Sequence, residues 1–187
     1  VAKGVLPNKI EIIANWADTD AVYPVTRQNT FLKDHGLEGK FVVLFSGNMG
    51  YIASLENIIL AGELLKDRPD VLFLLAGDGS VKAELEKMTE MKDLTNIKFL
   101  PSQPEDKWLE MLAVADLTLV TLKADLAGLN VPSKVYTLMA AARPILASVP
   151  ENSEIARLLN ESRAGVVIGP QDPEMLAQKM LVLLSWK

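Results

Sequence analysis

The sequence predicts a three-layer α/β/α domain on a mostly parallel sheet, and two observations predict it. Short apolar runs recur along the chain, and stretches with helical spacing separate them. The longer runs are apolar at consecutive positions rather than alternating, the mark of strands covered on both faces. Strand-then-helix repetition of this kind favours a parallel sheet with helices on either side.

Residues 41–45, 71–75 and 117–121 are the clearest strands, and 10–14, 97–100, 144–148 and 165–168 are shorter candidates. Between them, Leu55, Ile58, Ile59, Gly62 and Leu65 form one helical stripe, and Leu176, Met180, Leu183 and Leu184 form another. Ser80 stands as a cap before a helix over 81–91. Ser102 and Glu105 have the spacing of a capping box ahead of Trp108, Leu109 and Leu112. Asp172 followed by Pro173 is an N-cap with proline in the first turn. A helix around 26–34 is expected inside the loose connection over 15–40.

Composition narrows the function classes. The chain has 187 residues and a net charge of −5, with no block of Lys and Arg, so a nucleic-acid surface is disfavoured. There is no cysteine and one histidine, His35, which removes disulfides, thiolate metal sites and His-rich metal sites. No apolar run reaches the roughly 18 residues of a membrane span. A single domain over 1–187 is expected. The opening at Val1 and the end at Trp186-Lys187, just after a helical pattern, read as an excised fragment.

In open α/β sheets ligands bind beyond the carboxyl ends of the strands, so the loops after each strand are the candidates. Ser46-Gly47-Asn48-Met49-Gly50 follows the first clear strand, and its glycines allow close approach to a bound group. It is neither the Gly-x-Gly-x-x-Gly of dinucleotide enzymes nor a Walker loop. Ligand contact and a simple strand-to-helix turn are equally compatible with it. Gly77-Asp78-Gly79 reads as a turn in which Asp78 shapes the loop rather than acts as an acid. Leu100-Pro101-Ser102-Gln103 is a stiff loop able to read a nucleobase edge, although helix capping already accounts for Ser102.

The stretch from Asn130 to Ala140 is the most informative. Pro132 suits a first helical turn, while Val135, Leu138, Met139 and Ala142 make a core-facing stripe. Ser133, Lys134 and Thr137 share another face near the helix start. A first-turn lysine opposes the helix dipole, and a bound anion such as a diphosphate would remove that conflict. The alternative is a solvated lysine beside a cap. Trp108 and Tyr136 are core or base-stacking aromatics. The Asp18-Thr19-Asp20 cluster lacks the spacing of a calcium loop and is better read as capping or solvation.

These landmarks together resemble the C-terminal domain of glycosyltransferase family 4-like enzymes with the GT-B fold, closest to the WcaI-like group of colanic-acid and exopolysaccharide assembly. The landmarks are Lys9 through Asn15 with Asp18, the loop from Ser46 to Gly50 and the stretch from Leu75 to Gly79. Ile97 to Leu100, Ala115-Asp116, Val131-Pro132-Ser133-Lys134 and Met139 to Pro144 complete them. The resemblance implies a Rossmann-like domain that binds a nucleoside-diphosphate sugar, with the acceptor held by the missing N-terminal domain. It implies diphosphate contact at Gly47, Asn48, Gly50, Ser133 and Lys134, ribose contact at Thr137, and base contact at Leu100, Pro101, Ser102 and Gln103. Gly77, Asp78 and Gly79 shape the loop. It implies no catalytic residue that can be named here.

It further implies retention of anomeric configuration, no metal or other cofactor, and a cytoplasmic parent whose acceptor is a polysaccharide or lipid-linked sugar and which can sit peripherally at the inner membrane face. Two departures stand out. The Arg and Lys that many members carry in the phosphate loop fall on Asn48 and the region 53–55, without charge. The paired glutamates of the family fall on Thr137 and near Leu129, neither of them acidic. Those departures leave a degenerate nucleotide-binding or scaffold module as the second reading, and a sugar-nucleotide epimerase of the same fold as a third.

Overall fold

The computed structural model describes residues 4–11, 13, 15–126 and 133–185. Six strands form one sheet: β1 (Phe41–Ser46), β2 (Val71–Ala76), β3 (Ile97–Leu100), β4 (Leu117–Thr121), β5 (Ile145–Ser148) and β6 (Gly165–Ile168). Their order is β3-β2-β1-β4-β5-β6, and every pairing is parallel. The chain moves outward from β1 to β3, then returns to start the second half beside β1. The topological switch therefore lies between β1 and β4, where such sheets open a crevice at their carboxyl edge.

Among the described residues, seven α-helices cover the two faces: α1 (Thr30–Asp34), α2 (Glu56–Leu64), α3 (Lys82–Met91), α4 (Glu105–Val114), α5 (Lys134–Ala140), α6 (Glu154–Ser162) and α7 (Pro173–Leu184). Alternate residues of each strand feed two cores. Val42 and Leu44 point toward α1, α4, α5 and α6, while Phe41, Val43 and Phe45 point toward α2, α3 and α7. The consecutive apolar runs follow from this: with helices on both sides, each residue of β1 from Phe41 to Phe45 is buried. A side chain such as Phe73 or Leu74, fully removed from water, contributes about 1.5–3 kcal/mol.

The expected stripes take their places with adjustments. Leu55, Ile58, Ile59 and Leu65 are buried along α2, and Leu176 and Met180 are buried along α7. Asp172 caps α7 by accepting from the Met175 amide at 2.8 Å. The helix expected at 26–34 shortens to α1, capped by Asn29. Ala142 does not join the core stripe of α5. The helix ends at Ala140, Ala141 is buried in its stead, and Ala142 is exposed in a left-handed conformation.

Three expectations fail. Ile10, Glu11 and Ile13 are not in a strand, and Ile13 is 78% exposed; Ile12 and Ala14 lie outside the described residues. No described strand pairs with this segment, and a lone strand cannot satisfy its own amides. Ser80 lies in a turn, and α3 starts at Lys82 with Val81 at its N-cap and no side-chain hydrogen bond. Ser102 does not build a capping box either, because Pro104 occupies the N-cap of α4. A proline pushes the residue before it into extended backbone, so the helix cannot begin at Ser102.

At the amino ends of the strands, Asp116 clamps the switch. Its Oδ2 accepts from the Val42 amide at 2.9 Å and from Arg27 Nη2 at 3.0 Å. The Arg27 guanidinium also reaches the Lys40 carbonyl, which ties the connection before β1 to the sheet. Among the described residues no helix is long and apolar enough to cross a membrane.

Candidate functional site

The loops after β1, β2 and β3 form one interlocked surface at the carboxyl edge. The Gly47 amide donates to the Ala76 carbonyl at 2.9 Å and the Gly77 amide to Leu100 at 3.0 Å, extending the parallel ladder past the strand ends. Beyond that point the Met49 amide donates to the Asp78 carbonyl at 2.8 Å, and the Val81 amide to the Met49 carbonyl at 3.1 Å. The loops approach so closely that only glycine fits. A Cβ on Gly77 would strike the Gly47 carbonyl oxygen, and one on Gly79 would strike the Met49 carbonyl oxygen and, at 2.6 Å, Asn48 Oδ1. Both glycines also have φ values, 143° and 155°, that L side chains rarely adopt.

Asp78 ties the third loop to the second. Its Oδ2 accepts from the Ser102 amide and hydroxyl, each at 3.2 Å, and its Oδ1 accepts from Lys82 Nζ at 3.0 Å. These donors, Lys82 foremost, hold the Asp78 carboxyl below its ordinary value of 3.8. Lys82 also donates to the Gly77 carbonyl at 3.0 Å. Leu100 is buried at the end of β3, Pro101 and Ser102 are exposed, and Gln103 folds back to donate to the Pro101 carbonyl at 2.9 Å. The hydroxyl of Ser102 thus serves the loop junction, not a helix end.

Lys134 completes the surface from the other half of the sheet. Its Nζ lies 3.8 Å from the centroid of the Phe45 ring. The same ammonium would be 3.1 Å from a Cβ built on Gly47, so glycine at that position is what gives the lysine its seat. No carboxylate of a described residue pairs with it. Desolvation pushes its pKa from 10.5 down to about 8. The ammonium is therefore held over an aromatic face rather than extended into solvent. In the same loop as Gly47, the amides of Asn48 and Gly50 donate to no described residue.

The other residues expected here are placed as follows. Asn48 is exposed at the loop tip, and Gly50 precedes a 3-10 turn (Tyr51–Ala53). Ser133 is exposed at the N-cap of α5 and makes no side-chain cap bond. Thr137 is half-buried one turn along. Asn130, Val131, Pro132 and Leu129 lie outside the described residues. Asp18 is a turn former: its Oδ1 accepts from the Asp20 and Ala21 amides at 3.0 and 3.2 Å. Trp108 and Tyr136 pack, partly buried, against the core on the α4 and α5 side. Among the described residues no group of three or more acidic or histidine side chains is placed to hold a metal ion.

Sequence reasoning missed Phe45, Lys82 and Lys123. Phe45 looked like any core residue of a buried strand. Lys82 stands four residues after Asp78, a helix-type spacing that could have signalled the pair. Lys123 lies two residues past β4 at the carboxyl edge, with its amide donating to the Ile52 carbonyl at 3.1 Å. The rule that directs attention to strand carboxyl ends applies to it as much as to the loops that were singled out.

The fold and this edge define a Rossmann-like α/β domain with glycine-rich loops and a lysine gathered at the carboxyl edge of its topological switch. Residues 40–185 match the model of the family described as glycosyl transferases group 1, and the chain belongs to that family. It is 35% identical over 173 residues to the probable glycosyltransferase WbjE of Pseudomonas aeruginosa, covering 92% of this chain and 43% of that protein. It is 30% identical over 175 residues to the putative colanic acid biosynthesis glycosyl transferase WcaI of Escherichia coli K12, covering 90% and 42%. Among solved structures, HepE of Anabaena in complex with UDP-glucose superposes with a TM-score of 0.78 at 18% identity, covering 98% of this chain and 50% of that one. The chain thus spans less than half the length of these two relatives.

Proposed function

We propose that this chain is the donor-binding domain of a retaining glycosyltransferase, which moves a sugar from a nucleoside-diphosphate sugar to a polysaccharide or lipid-linked acceptor. The observation that carries the reading is the Lys134 ammonium, seated on Phe45 and against Gly47 without a carboxylate partner among the described residues. A desolvated cation without a carboxylate partner among the described residues, seated against a loop whose Asn48 and Gly50 amides donate to no described residue, is suited to a diphosphate. The position of this cluster at the β1/β4 switch supports it, as do family membership and the UDP-glucose carried by HepE.

In the reaction, the bond from the anomeric carbon to the diphosphate oxygen breaks, and a bond to an acceptor oxygen forms on the same face of the sugar. Negative charge grows on the leaving diphosphate. Lys134 and the loop amides stabilise that charge, and fixed donors of this kind lower a barrier because they need no rearrangement during the step. The reading requires no metal, so chelation with EDTA leaves binding unchanged. Ser102 and its neighbours, anchored by Asp78, receive the base, and Thr137 bonds a ribose hydroxyl. The acceptor is held by a second domain of the parent, which acts at the cytoplasmic side of the membrane.

Calorimetric titration of this domain with UDP, GDP, ADP and dTDP tests the reading, with Lys134→Ala beside the wild type. Half a cleft binds one nucleotide with a dissociation constant on the order of 0.1–1 mM, and the variant loses it. Binding that Lys134→Ala leaves intact rejects the site. Failure of every nucleotide to bind the folded domain favours the second reading, a degenerate module, which the uncharged Asn48 and Thr137 motivate.

A further inference from the structure

A cavity opens beside the Gly50 turn. It measures about 280 Å³ and lies between the first turn of α2, α3 and the segment just past β4, lined by Gly50, Tyr51, Glu56, Glu84, Met88 and Lys123 among others. Tyr51 is 66% exposed, and the Lys123 ammonium stands 5.9 Å from its ring centroid. Glu56, Glu84 and Lys123 form no ion pair with a described residue. The Lys123 amide bond to Ile52 fixes the turn that carries Tyr51 against the end of β4.

The lining selects among ligand classes. Two carboxylates against one ammonium disfavour a phosphate, which would face net negative charge. Three charged groups on the rim disfavour a wholly apolar ligand, because their desolvation would go unrepaid. A polyhydroxylated ring meets each requirement. Its hydroxyls donate to Glu56 and Glu84 and accept from Lys123, and its C–H face packs on Tyr51 and Met88. The volume suits one sugar ring, not an entire nucleotide.

We infer that this cavity is a saccharide subsite, separate from the phosphate-facing cluster at Gly47 and Lys134. The source of the sugar rests on the proposed transferase reading: either the sugar of the donor or a residue of the acceptor glycan that extends from the second domain onto this one. The shared chemistry is a pyranose with free hydroxyls.

The test is a two-dimensional NMR titration of the 15N-labelled chain with methyl glycosides of glucose, galactose, mannose, fucose and N-acetylglucosamine, and separately with UDP-glucose. Wild type, Tyr51→Ala, Glu84→Gln and Lys134→Ala are compared. A methyl glycoside should shift the amides of 51–56 and 81–88 saturably, with a dissociation constant on the order of 1–10 mM, weakened about tenfold in Tyr51→Ala. Lys134→Ala should retain it, which separates this subsite from the nucleotide reading. Glycoside binding undiminished by saturating UDP-glucose assigns the acceptor as source. Shifts of these amides by UDP-glucose alone, absent with UDP and lost in Tyr51→Ala, assign the donor sugar. The inference is overturned if no glycoside and no sugar nucleotide shifts these amides, or if the shifts survive in both Tyr51→Ala and Glu84→Gln. Tyr51 and Glu84 are exposed, so loss of fold does not obscure the result.

Discussion

The Lys134 ammonium packs 3.8 Å from the Phe45 ring centroid, joining the helix after β4 to the last apolar residue of β1 across the switch of the sheet. Burial depresses the lysine to about 8 from 10.5. A lysine lowered in this way is costly to charge in the folded state. The cost is fully present below about pH 8 and vanishes as pH rises toward 10.5, so stability should increase over that window. The rise should be on the order of 1–3 kcal/mol, absent in Lys134→Met, which should be the more stable protein at pH 7. Urea melts of both proteins at pH 7, 8, 9 and 10 check this. Parallel pH profiles would show that the lysine is not desolvated. Nucleotide affinity should move the opposite way and weaken above pH 8 as the charge is lost.

Gly36 and Gly77 separate two costs of adding a methyl group. At Gly36 the backbone is left-handed with nothing within 4 Å of a new Cβ, so Gly36→Ala should cost about 1 kcal/mol from conformation alone. At Gly77 the new atom would run into the Gly47 carbonyl. Gly77→Ala should therefore cost about 2–4 kcal/mol and abolish nucleotide binding, since the loop holding Gly47 must move. Equal midpoint shifts for the two variants in urea would refute the interlocking of the loops.

The strands were legible because both faces of the sheet are covered, which leaves no polar alternation to confuse a strand with a half-exposed helix. The charge conflict at Lys134 was legible as well, since a lysine in the first turn of a helix asks for a partner. Its partner was not. Phe45 carries no signal that separates a ring lying under an ammonium from one packed only against aliphatics. Ser102 misled because the spacing to Glu105 is right for a capping box, whereas Pro104 fixes where the helix starts and frees the hydroxyl for Asp78. Pairings between loops distant in sequence, such as Met49 to Asp78, depend on strand order, which no local pattern encodes.

Asp78 should matter more to binding than to stability. Its carboxylate is exposed, so its bonds to Lys82 and Ser102 add little to the fold. They do fix the loop proposed to receive the base. Because the folded carboxyl is held below 3.8, the anchor should persist at mildly acidic pH and release only as pH falls through the lowered value. The Ser102 amide resonance should report a titration below 3.8 in the wild type and none in Asp78→Asn. That variant should keep its melting temperature yet bind nucleotide more weakly. A Ser102 resonance titrating at an ordinary carboxylate value would sink the anchor.

The end of α5 carries a residue that works against its own conformation. The Ala142 amide donates to Met139 at 2.9 Å and the Arg143 amide to Leu138 at 3.0 Å, the paired bonds of a helix end that turns through a left-handed residue. That residue is Ala142, with φ of 51°. Glycine is the usual occupant, since a Cβ in this conformation costs roughly 1–2 kcal/mol. Gly36 fills the equivalent place after α1, with Gly36 donating to Lys33 and Leu37 to Leu32 in the same pattern. Ala142 is exposed, so removing its methyl group opens no cavity in the core. Ala142→Gly should therefore stabilise the domain by about 1 kcal/mol and raise its melting temperature by about 2–4 °C. The added freedom of glycine in the unfolded chain works in the opposite direction. Calorimetry of the two proteins decides between these terms: a rise shows that strain at the helix end dominates, and a fall shows that Ala142 is at ease there.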